Sequence, residues 1–124
     1  METNKEKIDW TIKENRQLLS ALLALENTDE AARFLRDLMT KGEIQEFANR
    51  LEAAKLLSQD VQYNAIIEST GLSSTTIARI SRWLKGSLGG YRLILSRLSR
   101  TTDSAKLTAS HHNSSKLGKG LFLK

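Results

Sequence analysis

The residues with the clearest chemical potential lie between Ser74 and Leu84, where Thr75, Ala78, Arg79 and Arg82 are spaced to share one side of a helix. At about 100° per residue, Ile77, Ile80 and Leu84 fall on a narrow arc opposite them. Arg can bond a guanine edge, and Thr or Ala can touch a thymine methyl, so the outer face suits a DNA major groove. An amphipathic helix whose charged side meets only water would show the same two faces. The flanking elements must decide between the two.

The flank on the N-terminal side favours recognition. Val61, Ala65 and Ile66 recur at helical spacing after Asp60, which can cap a short helix. Gly71 supplies a left-handed stop, with Leu72 placed to fold back on Ile67 as in a Schellman motif. Ser73 or Ser74 then caps the next helix. Helix, Gly-containing turn and second helix make a helix-turn-helix over residues 61–85.

Charge agrees with this placement. Residues 1–60 carry 9 Lys or Arg against 12 Asp or Glu, a balance of −3, whereas residues 61–124 carry 10 against 2, a balance of +8. A basic half that coincides with a helix-turn-helix is what phosphate binding requires. A basic segment alone would say little, since it can be a solubilising face.

Composition narrows the class. The 124 residues allow one domain and a tail, and proline is absent, which suits a nearly all-helical chain. No run of ~18 apolar residues marks a membrane span. The start METNKEKIDW is polar rather than secretory, so a cytoplasmic location is the default expectation. There is no cysteine, and His111-His112 sit together in the tail without acidic or thiol partners, so neither catalysis nor a metal site is expected. Nothing points to a cofactor.

The remaining elements read as helices. Residues 6–25 place Ile8, Ile12, Leu19 and Leu22 on one stripe, widened by Leu18, Leu23 and Leu25. Asn27 with Glu30 reads as a capping-box variant opening a helix to Met39, with Ala31, Phe34, Leu35 and Leu38 inward. Thr40 with Glu43 is a closer match to the box and opens a third helix, with Ile44, Phe47, Leu51 and Ala54 inward. Gly86 to Gly90 reads as a flexible break, followed by a helix from Tyr91 to Leu98 with Leu95 and Leu98 inward.

Residues 1–98 thus form a helical domain of six helices, with no strand. Its broad leucine stripes exceed what a small monomer can bury, so a homodimer that shares them is expected. Such a dimer would set two basic helices about one DNA turn apart. Residues 99–124 carry five Lys or Arg to one Asp, with little apolar periodicity, and read as a basic, disordered tail. Leu121-Phe122-Leu123 is its one apolar cluster.

The run Leu38-Met39-Thr40, Glu43, Arg50, Leu56-Leu57, Gly71 and Thr75-Thr76-Ile77-Ala78-Arg79 resembles the Trp repressor family. Ser81-Arg82-Trp83-Leu84 and Gly89-Gly90-Tyr91 look more like its relatives of the YerC/YecD type. The similarity spans residues 8–98. It implies an all-α, intertwined six-helix dimer that represses transcription by binding an operator. It also implies that Ser74, Thr75, Thr76 and Ala78 lie at base edges, and that Gln62 and Asn64 approach backbone or flanking bases. Arg50 and Arg79 match the arginines that bracket the tryptophan corepressor, and Thr40 matches a residue near that pocket.

Two departures fall in the pocket. Ile80 stands where the repressor has a glycine beneath the ligand's indole, and Trp83 where a serine reaches its amino group. Bulk added there should fill the cavity, so free tryptophan is not the expected effector. The resulting expectation is a sequence-specific DNA-binding regulator, with Arg82, Lys85 and Arg92 on phosphates and Thr75, Thr76, Ala78 and Arg79 reading bases. A helical protein-interaction module and a low-specificity nucleic-acid binder are the competing readings.

Overall fold

The computed structural model describes residues 7–109, all of whose regular elements are α-helices: α1 Lys13–Ala24, α2 Thr28–Leu38, α3 Lys41–Ser58, α4 Tyr63–Thr70, α5 Ser74–Lys85 and α6 Gly90–Ala109. His111-His112 and Leu121-Phe122-Leu123 lie outside the described residues.

α1 starts later than the leucine stripe suggests. Thr11 donates its backbone N–H to Asp9 Oδ1 at 2.9 Å, and Asn15 Nδ2 donates to the Asp9 carbonyl at 3.0 Å. These local bonds give the backbone an alternative to helix before Lys13. The Thr11 donors also hold the Asp9 carboxyl below the usual carboxylate range.

The next two starts follow their capping residues. Asn27 accepts the Glu30 N–H at 2.9 Å, while the Glu30 carboxylate accepts from Glu26 N–H rather than from the cap itself. The Thr40 box is complete. Glu43 N–H donates to Thr40 Oγ1 at 3.1 Å, and Thr40 N–H donates to Glu43 Oε1 at 2.9 Å.

Between α3 and α4 the structure corrects the expected caps. Asp60 does not cap α4; it takes a left-handed φ of 63° and ends α3. Its N–H donates to Leu57 O, and Val61 N–H donates to Leu56 O, both at 3.0 Å. This pair of bonds is the Schellman motif, and Asp is one of the few non-glycine residues that tolerate the conformation. Gln62 is the α4 N-cap and makes no side-chain cap bond.

Gly71, with φ 75°, ends α4 by the simpler left-handed stop, a single bond from its N–H to Ile67 O at 2.8 Å. A buried threonine completes this turn. Thr70 Oγ1 donates to Ile66 O at 2.7 Å and accepts the Leu72 N–H at 3.2 Å.

The core gathers under the motif. Ala53 and Ala54 of α3, Ile66 of α4, Leu72 of the turn, and Ile77 and Ile80 of α5 are buried together. Leu56, Leu57, Val61, Ile67, Tyr91 and Leu95 pack around them. α3 is the hub, touching α2, α4, α5 and α6.

Several residues expected to face inward do not. Ala65 is exposed, as are Leu38, Phe47 and Leu98. α1 buries no residue, and Leu19, Leu22 and Leu23 stand open on it. α6 passes the expected end at Leu98 and runs to Ala109, so residues 99–109, expected in a disordered tail, are helical.

Ile77 is fully buried. Ile77→Ala should therefore cost about 2–5 kcal/mol in denaturant unfolding, whereas Leu88→Ala, on a residue 93% exposed, should leave stability within about 0.5 kcal/mol.

Candidate nucleic-acid interface

α5 begins at a serine cap. Ser73 Oγ accepts the Thr76 N–H at 3.1 Å and donates to Thr76 Oγ1 at 3.0 Å. The first N–H groups of any helix lack an intrahelical acceptor, so this end is suited to an anion. Ser74 and Thr75 stand exposed there, while Thr76 is half-buried.

The two faces of α5 separate as their spacing requires. Ile77 and Ile80 are buried and Leu84 is half-buried, which pins one side of α5 to the core beside α3 and α4. Arg82 and Lys85 are exposed in the last turn, and Ala78 and Arg79 are half-buried along the flank. From α4, Gln62 and Asn64 add exposed polar groups. The outward set is therefore Gln62, Asn64, Ser74, Thr75, Arg82 and Lys85, with Thr76, Ala78 and Arg79 less accessible.

The residues matched to a ligand pocket are occupied within the chain. Thr40 caps α3. Ile80, only 1% exposed, belongs to the buried core. The Arg79 guanidinium lies 6.0 Å from the Trp83 ring centroid, at the outer limit of a cation–π contact. Arg50 pairs with Glu46 at 3.1 Å and lies 5.4 Å from the Phe47 ring. The Tyr91 phenol is pushed up from its ordinary value by burial, against a smaller opposing effect of the Arg50 charge.

Arg92, expected on phosphates, makes two bonds within the chain. Its Nη1 donates to Leu84 O at 2.6 Å and to Gly86 O at 2.8 Å, at the C-terminal end of α5. Gly86 to Gly90 is consequently a tied turn rather than a free break. Arginine near a helix C-terminus is a known carbonyl partner, but one reaching back from the following helix leaves no periodic trace in sequence.

The profile of the Trp repressor protein family matches residues 13–99, which contain every α5 residue just described. YerC of Bacillus subtilis is 39% identical over 94 residues, covering 75% of this chain and 90% of its own. A crystal structure of a TrpR-like protein from Eubacterium eligens superposes with a TM-score of 0.69 at 36% identity, covering 78% of this chain and 96% of the other. A crystal structure of a candidate Trp repressor from Staphylococcus aureus gives 0.67 at 34% identity, covering 80% and 95%. The chain belongs to the Trp repressor family, whose six-helix, helix-turn-helix fold serves DNA-binding transcription regulation.

Proposed function

We propose that the protein is a homodimeric, sequence-specific DNA-binding repressor that does not need free tryptophan. One observation carries the reading. α5 buries Ile77 and Ile80 while turning Thr75, Arg82 and Lys85 outward from a helix whose N-terminus can meet a phosphate. That is how a recognition helix is set, with N-terminal residues at base edges and basic residues along the backbone. Thr75, Thr76, Ala78 and Arg79 read bases in this account. Ser74 lies at the base edges beside them, Arg82 and Lys85 neutralise phosphates, and Gln62 and Asn64 contact the backbone or flanking pairs.

Dimerisation is supported by what the single chain leaves uncovered. An isolated helix of 12 residues that buries nothing is marginal in water, and α1 is such a helix. Its Leu19, Leu22 and Leu23, and Leu93, Ile94 and Leu98 of α6, are open apolar residues that a second copy would cover. Residues beyond the family match add a weaker, salt-screened attraction to DNA.

Ligand independence is supported by Ile80 and Trp83. The first fills the core and the second brings an indole of the protein's own beside Arg79, so the bulk a free indole would add is already present.

Arg82→Ala should weaken binding to every duplex and make log K against log salt shallower by about one per subunit. Thr75→Ala should instead change preference at one base pair; identical behaviour of the two variants across several sites would reject these roles. Titration of L-tryptophan by calorimetry should give no saturable heat, and micromolar saturation would refute ligand independence. Leu19→Glu combined with Leu22→Glu should convert a sedimenting dimer to monomer and abolish specific DNA binding.

A further inference from the structure

We infer that Arg92 is a positioning residue for the DNA-reading helix, holding the last turn of α5 to α6 through two backbone carbonyls instead of touching a phosphate. The inference rests on the DNA-binding reading of α5 given above.

The geometry is specific. The last carbonyls of a helix have no intrahelical donor, and Arg92 Nη1 supplies one to Leu84 O and to Gly86 O. Its positive charge also sits at the negative end of the α5 dipole. One glycine of the intervening loop borders this group. Gly89 takes a left-handed φ of +74°, and a Cβ there would lie 3.0 Å from Arg92 Nη2. Gly86 N–H donates to Trp83 O at 3.1 Å, and a Cβ on Gly86 would meet Arg82 O at 3.3 Å. Leu88 of the same loop is 93% exposed and takes no part.

Position gives the clamp its consequence. Arg82 and Lys85, the exposed basic residues of α5, belong to the turn that is held. α6, which does the holding, also carries Leu93, Ile94 and Leu98, open residues assigned to the second copy. The setting of α5 in a dimer therefore follows α6. Both bonds use Nη1, so the role assigned to Arg92 is carried by that nitrogen's two N–H groups.

The test compares the full-length protein with Arg92→Ala, Gly89→Ala and Leu88→Ala. It measures amide hydrogen exchange without DNA, and affinity against salt on a duplex selected by the wild type from a random pool. Gly89→Ala keeps the Arg92 charge while straining a left-handed residue and crowding the guanidinium beside it. Arg92→Ala and Gly89→Ala should both speed exchange in the last turn of α5 and lower affinity roughly ten-fold at an unchanged salt slope, while Leu88→Ala matches wild type. Two results would overturn the inference. One is a slope shallower by about one per subunit in Arg92→Ala with α5 exchange unaltered, which makes Arg92 a phosphate ligand. The other is wild-type affinity in Gly89→Ala. A wild type indifferent to every duplex at low salt would sink the DNA reading and the positioning role with it, while exchange would still report whether the clamp holds α5.

Discussion

Two alanines on α3 set how closely the helix-turn-helix can approach the rest of the chain. Ala53 and Ala54 are fully buried, and their small side chains leave room for Ile66, Ile77 and Ile80. Each buried isoleucine contributes on the order of 1.5–3 kcal/mol relative to exposure. α4 and α5 are short, at 8 and 12 residues, and neither would persist alone in water. Their joint burial over α3 is what makes them rigid enough to present side chains at fixed positions.

From that core the outer face follows by helix geometry. Once Ile77 and Ile80 point in, Arg82 and Lys85 must point away, and the Ser73 cap fixes where the helix begins. The turn between α4 and α5 is held by Gly71 and by the hydroxyl of Thr70, which leaves no buried side-chain polar atom unsatisfied among the described residues. The other end of α5 is held by Arg92. A recognition surface is useful only if its frame does not yield, and here both ends are tied.

The remainder of the chain is built differently. α1 buries no residue, and α6 turns Tyr91 and Leu95 to the core while leaving Ile94 and Leu98 open. The compact part of a single chain is α2 to α6 around α3. Apolar area left open on α1 and α6 is the physical reason a second copy belongs in the account.

The sequence by itself determined the elements that depend on neighbours within about four residues. The Thr40–Glu43 box, the Ser73 cap, the left-handed Gly71 and the Ile77/Ile80 stripe are all local chemistry, and the order and spacing of residues from Leu38 to Tyr91 together indicated the family. Tertiary structure alone decided the rest. Asp60 looked like a cap, yet it ends α3, because Val61 and Leu56 are drawn together on the core. Leu98 fits the helical stripe as well as Leu95 does, and only packing against the core distinguishes them. The glycines of residues 86–90 read as freedom, whereas Gly89 borders a guanidinium from α6 and a Cβ on Gly86 would meet a carbonyl of α5. Periodicity encodes which side of a helix is apolar, but not which other element arrives to cover it.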